Sequence, residues 1–234
     1  MIAEEYQIRA IPSAQCRDWF LRKHYARRLA PVSFAFGLYR GPRLLGVCSF
    51  GHPMSPTLVS GAFGGLYAAE FLELNRLVVT DGLQRNALSF FVSQSLGLLS
   101  RPRVVVSYAD PSHGHHGYIY QATNWTYTGL SAKRPDYKLK GQERLHTASI
   151  TDKLGRTDKL HGLRQIARLR ELYGSDFYME ERPRKHRYFY IIGSRSEKKE
   201  RLNSLAYPVQ PYPKGDNHNS ASDYEPASQG LLFT

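Results

Sequence analysis

Residues Val104 to Gly129 read VVVSYADPSHGHHGYIYQATNWTYTG, and the interpretation of the whole chain starts from this stretch. The apolar, β-branched residues at its beginning predict a buried strand over residues 103–109, which ends at Asp110. A turn rich in glycine and histidine follows, and then a short helix over residues 118–124. Because open α/β sheets bind ligands at the carboxyl ends of their strands, Asp110 lies where a functional site is expected.

The elements around this stretch predict an α/β (α+β) fold. Ser13 is expected to cap the first helix and Asn86 the second. In chain order the patterns predict a helix (13–24), a hairpin (32–39 with 43–50), a loop (52–69) and a strand (71–79). A helix (86–99), a strand (103–109), a short helix (118–124) and a strand (125–130) follow. This is the element order of the GNAT acyltransferase fold, a mixed central sheet flanked by helices.

In the GNAT fold two neighbouring strands splay apart, and the acyl donor binds between them. The corresponding strands here are residues 71–79 and 103–109. The donor pyrophosphate lies at the following loop and helix N-terminus, where backbone N–H groups and the helix dipole favour anions. That loop is Asp81–Asn86 here, and its candidate donor-binding residues are Gln84, Arg85 and Asn86. It lacks the glycines that allow close phosphate approach, so it departs from the usual coenzyme A pattern.

The second half of the chain is more basic. The formal net charge is +12, with 32 Lys and Arg against 20 Asp and Glu, which favours a polyanionic partner and nucleic acid first. Helices are expected over residues 159–173 and 196–205, with a strand over 187–192 between them. Basic residues beside aromatic ones suit phosphate contact with base stacking, whereas the alternative is a solvated charged surface. The candidate DNA-binding residues are Arg164, Arg168, Arg184, Lys185, His186 and Arg187.

The composition predicts a single catalytic domain with a C-terminal extension. We expect this domain to cover residues 1–206, with its basic, DNA-contacting part at about 131–206, and a Pro-, Ser- and Asn-rich tail over 207–234 that lies along the surface or is disordered. No apolar run approaches the roughly 20 residues that span a bilayer. The first residues lack the apolar region of a signal peptide, and the two cysteines lack metal-ligand spacing. These features predict the reducing cytosol and no membrane partner.

The segment Asp110-Pro111-Ser112-His113 loosely resembles the Asp-Pro-Pro-Tyr motif of adenine amino-methyltransferases. The lone pair of an exocyclic amine is delocalised into the base, so acceptors are needed to make the amine nucleophilic. Such chemistry also needs the base extruded from the stack. The glycine-rich methionine-donor motif of methyltransferases is absent. The alternative role of Asp110 is to cap the turn that follows it.

Four further residues are candidates for the same site. His24 and Tyr25 follow the first helix, as a base or metal ligand and an acid, although His24 also suits an ordinary helix C-terminus. Arg76 lies inside an apolar strand, where strand alternation predicts that it points away from Glu73. It either forms a structural salt bridge, pairs with Asp110 or binds the donor. Tyr120 begins the helix after Asp110. The histidines at 113, 115 and 116 favour a polar loop over a metal site.

Taken together, these segments resemble the phage Mom family of DNA-modification proteins. The matching pieces are Lys23–Tyr25, Phe34–Gly37, Glu73–Leu77, Asp110–Gly129, Pro183–Tyr188 and Tyr207–Asp216. The resemblance implies a GNAT-like fold and conversion of the exocyclic amine of adenine in phage DNA to a carbamoylmethyl (acetamido) derivative, which protects the DNA from host restriction. It implies double-stranded DNA as partner in the cytoplasm of the bacterial host, and it associates the family with acetyl coenzyme A and iron. The site residues carried over are His24, Tyr25, Arg76, Asp110, Tyr120, Ser112 and Tyr39.

The donor can also be argued from the product. Carbamoylmethyl and glycyl groups are isomers, so transfer of a glycyl group from glycyl-tRNA, followed by attack of its amine on the ring carbon and migration, gives the same product. This donor fits the unusual loop and the basic surface. Two other functions are compatible with the sequence, namely a GNAT acyltransferase that acts on a protein or small amine and a non-enzymatic DNA-binding module.

Overall fold

A computed structural model describes residues 2–145, 147–152 and 162–215. Its strands are β1 (Gln7–Ala10), β2 (Phe34–Arg40), β3 (Arg43–Gly51), β4 (Phe71–Val79), β5 (Arg103–Ala109), β6 (Thr126–Leu130), β7 (Pro135–Leu139), β8 (Phe177–Glu181) and β9 (His186–Ile192). Its helices are α1 (Ile2–Glu5), α2 (Pro56–Phe63), α3 (Ala87–Gly97), α4 (Tyr118–Ala122), α5 (Thr147–Asp152), α6 (Leu163–Tyr173) and α7 (Arg195–Ser204). The predicted mixed α/β class is confirmed.

A central sheet organises most of these elements. Its strand order is β1-β2-β3-β4-β5-β9-β6, and β4 with β5 is its parallel pair. That pairing joins Phe71–Glu73 to Val104–Val106 and then stops, although both strands continue. The remaining neighbours in this sheet pair in antiparallel register. The predicted separation of these two strands is therefore present.

Apolar cores lie on both faces of the sheet, and two of them pack a helix against it. One core packs α3 against the sheet, with Phe91 and Leu96 of the helix beside Phe50 and Trp125. The other core packs α2 against the sheet through contacts between Phe63, Phe71 and Phe189. Because both faces of the central strands are covered, β5 reads as a mainly apolar run and β4 as an apolar strand interrupted by Glu73, Asn75 and Arg76, which is why both were predictable from sequence.

Contacts divide the chain into two compact units. The first contains the central sheet and comprises the described residues of 1–130 and 185–234. The second comprises the described residues of 131–184, in which β7 pairs with β8 beside α5 and α6. Its own core is Tyr137, Leu139, Ile150, Leu169 and Phe177. The sequence-based division at residue 206 stays a prediction.

Two predicted elements have a different form in the structure. The helix expected over 13–24 is a 3-10 turn, Ser13–Cys16, followed by a π-helical turn, Trp19–Lys23, and Ser13 does not cap it. Its apolar residues pack onto the sheet, so tertiary contacts override the regular periodicity. The loop expected over 52–69 contains α2. Ser55 followed by Pro56 is a helix-start signal, which the glycine-rich composition obscured.

The C-terminal segment that the structure describes, residues 207–215, packs along the sheet of the first unit. The ring of Tyr207 lies 3.4 Å from the Arg187 guanidinium carbon and stacks on Phe189. The Tyr212 hydroxyl donates to the Trp125 carbonyl at 2.6 Å. Residues 159–161 of the predicted basic helix and residues 216–234 of the tail lie outside the described residues. Among the helices that the structure describes, none has the length and apolarity to cross a bilayer.

Gly117 positions α4 after the histidine-rich turn, and it is the subject of our first prediction. Its φ is +82°, and a Cβ there would overlap the Tyr188 ring, whereas Gly82 has φ +70° with open space around it. We expect Gly82→Ala to lower the free energy of unfolding by about 1 kcal/mol from backbone strain alone. Gly117→Ala adds overpacking and should lower it by about 2–4 kcal/mol. Urea unfolding followed by tryptophan fluorescence tests this, and equal losses would contradict it.

Candidate active site

A cavity of about 640 Å³ opens where β4 and β5 separate. It lies within the first unit. Its walls are formed by residues 23–25, 73–84, 86, 88, 107–109, 115, 117–120 and 185. The structure therefore brings together several residues that the sequence singled out, namely His24, Tyr25, Arg76, Gln84, Asn86, Tyr120 and Lys185.

A β-bulge at Asn75 determines which side chains of β4 meet this cavity. Ser49 of β3 pairs with Arg76, but the next residue, Phe50, pairs with Leu74, so Asn75 is an extra residue. Its side chain accepts a hydrogen bond from Ser49 Oγ at 2.7 Å and donates one to a main-chain carbonyl of Pro31 at 2.7 Å. The bulge is thus fixed by polar contacts on both sides.

The bulge reverses the facing of the residues that follow it. Leu72 and Leu74 lie in the same core as Leu77, although a regular strand would place Leu77 on the opposite face. Glu73 and Arg76 consequently both line the cavity. The sequence-based expectation that they point in opposite directions is wrong, because simple alternation does not account for an extra residue.

Arg76 braces the segment that carries His24 and Tyr25. Its guanidinium donates to the Arg28 carbonyl at 3.2 Å and to the Asn75 carbonyl at 2.7 Å. Burial lowers the pKa of Arg76, while Tyr25 and Glu73 act in the opposite direction. The pairing of Arg76 with Asp110 that the sequence suggested is absent, because Asp110 has another cation as its partner.

That partner of Asp110 is Lys185. Asp110 Oδ2 accepts from Lys185 Nζ at 2.7 Å, and Oδ1 accepts from the Ser112 backbone N–H at 3.1 Å and its hydroxyl at 2.6 Å. Burial raises the pKa of Asp110, but the hydrogen bonds from Lys185 and Ser112 outweigh burial and hold the pKa below its usual value. Asp110 therefore caps its turn and also binds a cation that lines the cavity.

His24 is a buried, neutral imidazole. Its side chain Nδ1 accepts from the Ala26 backbone N–H at 3.0 Å, which places the ring proton on Nε2. Burial, aided by the charge of Arg76, lowers the pKa of His24 to about 3. The Tyr25 ring lies 4.3 Å from those of His24 and His113. His24 is consequently suited to donating a hydrogen bond from Nε2.

Tyr120 joins the cavity from the core side. Its hydroxyl lies 2.7 Å from Ser107 Oγ, which is also 2.8 Å from the Leu74 carbonyl oxygen. Its ring packs between Trp125 and Tyr188. Burial raises the pKa of Tyr120, so its hydroxyl keeps its proton near neutrality.

The proposed donor loop reaches the cavity only in part. Gln84 and Asn86 line it, whereas Arg85 is not among its lining residues. Asn86 is the N-cap residue of α3 at φ +69°, but its side chain makes no capping hydrogen bond. Asp81 forms an ion pair at 2.8 Å with the buried Lys23, which ties the loop to the segment before His24.

Other predicted site residues lie elsewhere. Tyr39 pairs with Gln7 at the start of the sheet, and its ring lies 5.1 Å from the Arg9 guanidinium carbon, away from the cavity walls. Arg187 is buried and donates to Thr128 Oγ1 at 2.9 Å. The remaining candidates are placed as follows: His186 contacts Tyr127, Arg184 donates to the Ser131 carbonyl, and Arg164 and Arg168 belong to α6 of the second unit.

Sequence reasoning underestimated three cavity residues. Glu73 was considered only as a structural partner of Arg76, Lys23 only as part of a matching segment, and Lys185 only as a DNA contact. The available signal was that Glu73 interrupts an apolar strand. Among the described residues, no three His, Cys, Asp or Glu side chains are grouped to hold a metal ion. The association with iron stays an expectation from the family resemblance.

The comparisons with known proteins agree with the motif-based resemblance. The model of the Mom protein family matches residues 5–214. The chain belongs to the Mom family. A curated Mom relative, Methylcarbamoylase mom of Escherichia phage Mu, is 30% identical over 217 residues, covering 91% of this chain and 85% of its own length. A solved tandem GNAT protein from the clavulanic acid biosynthesis pathway has a TM-score of 0.41 at 13% identity, over 59% of this chain and 49% of its own.

The pKa of His24 gives a pH prediction for this Mom family chain. The folded state holds His24 at a pKa of about 3, against about 6.5 unfolded, so the unfolded state binds the extra proton. The stability that this adds is complete above pH 6.5 and is lost as pH falls towards 3. Over the range from pH 7 to 5.5, we expect the free energy of unfolding to fall once the pH is below 6.5. The decrease is up to about 1 kcal/mol per pH unit. Urea unfolding at each pH measures it. His24→Gln should flatten this dependence, and an unchanged slope would contradict the assignment.

Proposed function

We propose that this chain is a phage DNA-modifying transferase that converts the exocyclic amine of adenine to a carbamoylmethyl (acetamido) or isomeric glycyl derivative. The observation that carries the proposal is the cavity at the separation of β4 and β5, which gathers His24, Tyr25, Arg76 and Tyr120 in a Mom family chain. The name of the phage Mu relative, a methylcarbamoylase, supports the type of group. The modification protects phage DNA from host restriction in the cytoplasm of the host.

The side chains have complementary roles in this proposal. Arg76 stabilises the negative charge that develops on the donor carbonyl oxygen in this proposal. The Nε2–H of His24 supplies a second donor, since Nδ1 is already occupied. The Tyr25 hydroxyl serves as the acid, and the rings of His24 and His113 hold the Tyr25 ring at the cavity. Asp110 holds the Lys185 ammonium at the cavity, where the extruded adenine enters.

We favour an aminoacyl ester, glycyl-tRNA, over acetyl coenzyme A as the donor. Attack of the adenine amine on the glycyl carbonyl carbon forms an amide and releases the tRNA 3′ oxygen, which takes a proton. Attack of the glycyl amine on the ring carbon then displaces the amide nitrogen and yields the carbamoylmethyl isomer without any oxidant. The loop Asp81–Asn86 beside the cavity lacks the glycines that allow close phosphate approach, which supports a donor other than a pyrophosphate-containing coenzyme.

Mass spectrometry of nucleosides from the DNA of expressing cells tests the function. We expect a deoxyadenosine heavier by one carbamoylmethyl unit, which Asp110→Ala reduces at least about tenfold because Lys185 and the turn lose their anchor. The matched control Asp18→Asn removes an exposed carboxylate outside the cavity and should leave the product unchanged. Unmodified DNA from well-expressed wild type would instead favour acylation of a protein or small amine, or a binding module.

DNA binding by the basic helix α6 is a separate prediction. Arg164 and Arg168 lie one turn apart on this helix, so both can contact the same phosphate backbone. Replacing both by Ala should weaken duplex binding and lower the slope of log affinity against log salt by about one per lost contact. Fluorescence anisotropy at several salt concentrations measures this, with Arg17→Ala as control. An unchanged slope would exclude α6 from the DNA interface.

A further inference from the structure

Glu73 differs from Asp81, which also lines the cavity, and from Asp110 beside it, because no cation among the described residues forms an ion pair with it. Both oxygens of Asp110 accept hydrogen bonds within its own turn or from Lys185, and Asp81 pairs with Lys23. Glu73 lines the cavity and accepts from the backbone N–H of Met54. Across residues 2–145, 147–152 and 162–215, no Lys, Arg or His nitrogen forms an ion pair with it.

The carboxylate oxygens of Glu73 can therefore accept further hydrogen bonds from a ligand in the cavity. A carboxylate that is partly removed from water is costly unless N–H or cationic groups compensate it. Burial raises the pKa of Glu73, and the nearby charges of Arg76 and Lys185 only oppose that rise. A ligand that carries an amine or ammonium group would supply the missing charge-assisted hydrogen bonds.

The position of Arg76 indicates which second group of the ligand lies beside the amine. The bulge at Asn75 brings Glu73 and Arg76 to the same cavity, and Arg76 is held by the carbonyls of Arg28 and Asn75. The wall therefore presents an acceptor and a fixed cationic donor close together. An α-aminoacyl group has the matching pattern, because a single carbon separates its amine from its carbonyl.

We propose that Glu73 binds the α-amine of an aminoacyl donor, while Arg76 faces the carbonyl of the same group. The proposal rests on the transferase function proposed above and assigns the carboxylate that selects the donor. An acetyl group has no N–H, so it would leave Glu73 without a compensating partner. Sites that require a hydrogen bond discriminate strongly against analogues that cannot form it.

Two stable donor mimics test this assignment on the full chain. The probes are 3′-glycylamino-3′-deoxyadenosine and 3′-acetylamino-3′-deoxyadenosine, which differ only in the amine, and isothermal titration calorimetry gives the two affinities. We expect wild type to prefer the glycyl compound by roughly 10- to 100-fold. Glu73→Gln should bring the two affinities within about threefold by weakening the glycyl compound alone, since loss of a merely structural contact would weaken both. Asp18→Asn is the matched control.

Each remaining outcome decides the proposal. Equal affinities in wild type, failure of both compounds to bind, or a preference that survives in Glu73→Gln would overturn the role of Glu73. Where the variant does not fold, equal affinities in wild type still overturn the proposal. The nucleoside analysis separates the two proposals, because modified DNA without donor preference refutes only the role of Glu73, and unmodified DNA refutes the function.

Discussion

The site depends on the early end of the pairing between β4 and β5. Each strand runs on beyond the last shared hydrogen bonds, which leaves backbone groups that need partners inside the protein. The Ser107 hydroxyl lies at hydrogen-bond distance from the Leu74 carbonyl and from the Tyr120 hydroxyl. The Leu74 carbonyl therefore has a side-chain partner on the core side of the gap. The gap is thereby stabilised without being filled, and the cavity between the strands remains accessible to a ligand.

The bulge at Asn75 turns this gap into a chemically specific site. A regular β4 would place Glu73 and Arg76 on opposite faces, with one of the two charges facing the apolar core around α3. The extra residue brings both charges to the cavity and returns Leu77 to the core, so packing and chemistry are satisfied together.

The parts that sequence reasoning predicted correctly are those determined by local pattern. The mainly apolar patterns of β4 and β5 gave their bounds, and Asp110 at the end of β5 was correctly located. The partner of Asp110 was not predictable, because Lys185 is distant in sequence and belongs to a basic run that reads equally well as a DNA contact. The bulge and the irregular turns before His24 arise from tertiary packing, which alternation and helical periodicity do not encode.

The two interpretations of Asp110, turn cap and functional group, are compatible because its two oxygens act separately. Oδ1 accepts a hydrogen bond from Ser112 and so fixes the start of the histidine-rich turn. Oδ2 binds Lys185, which directly precedes β9. The same carboxylate thus joins two distant segments at one wall of the cavity. Since β9 also carries Arg187 and Phe189 beneath Tyr207, the described C-terminal segment packs on the strand that this ion pair positions. The family match, which extends to residue 214, covers this segment as well as the cavity, so both belong to the part of the chain that the Mom family shares.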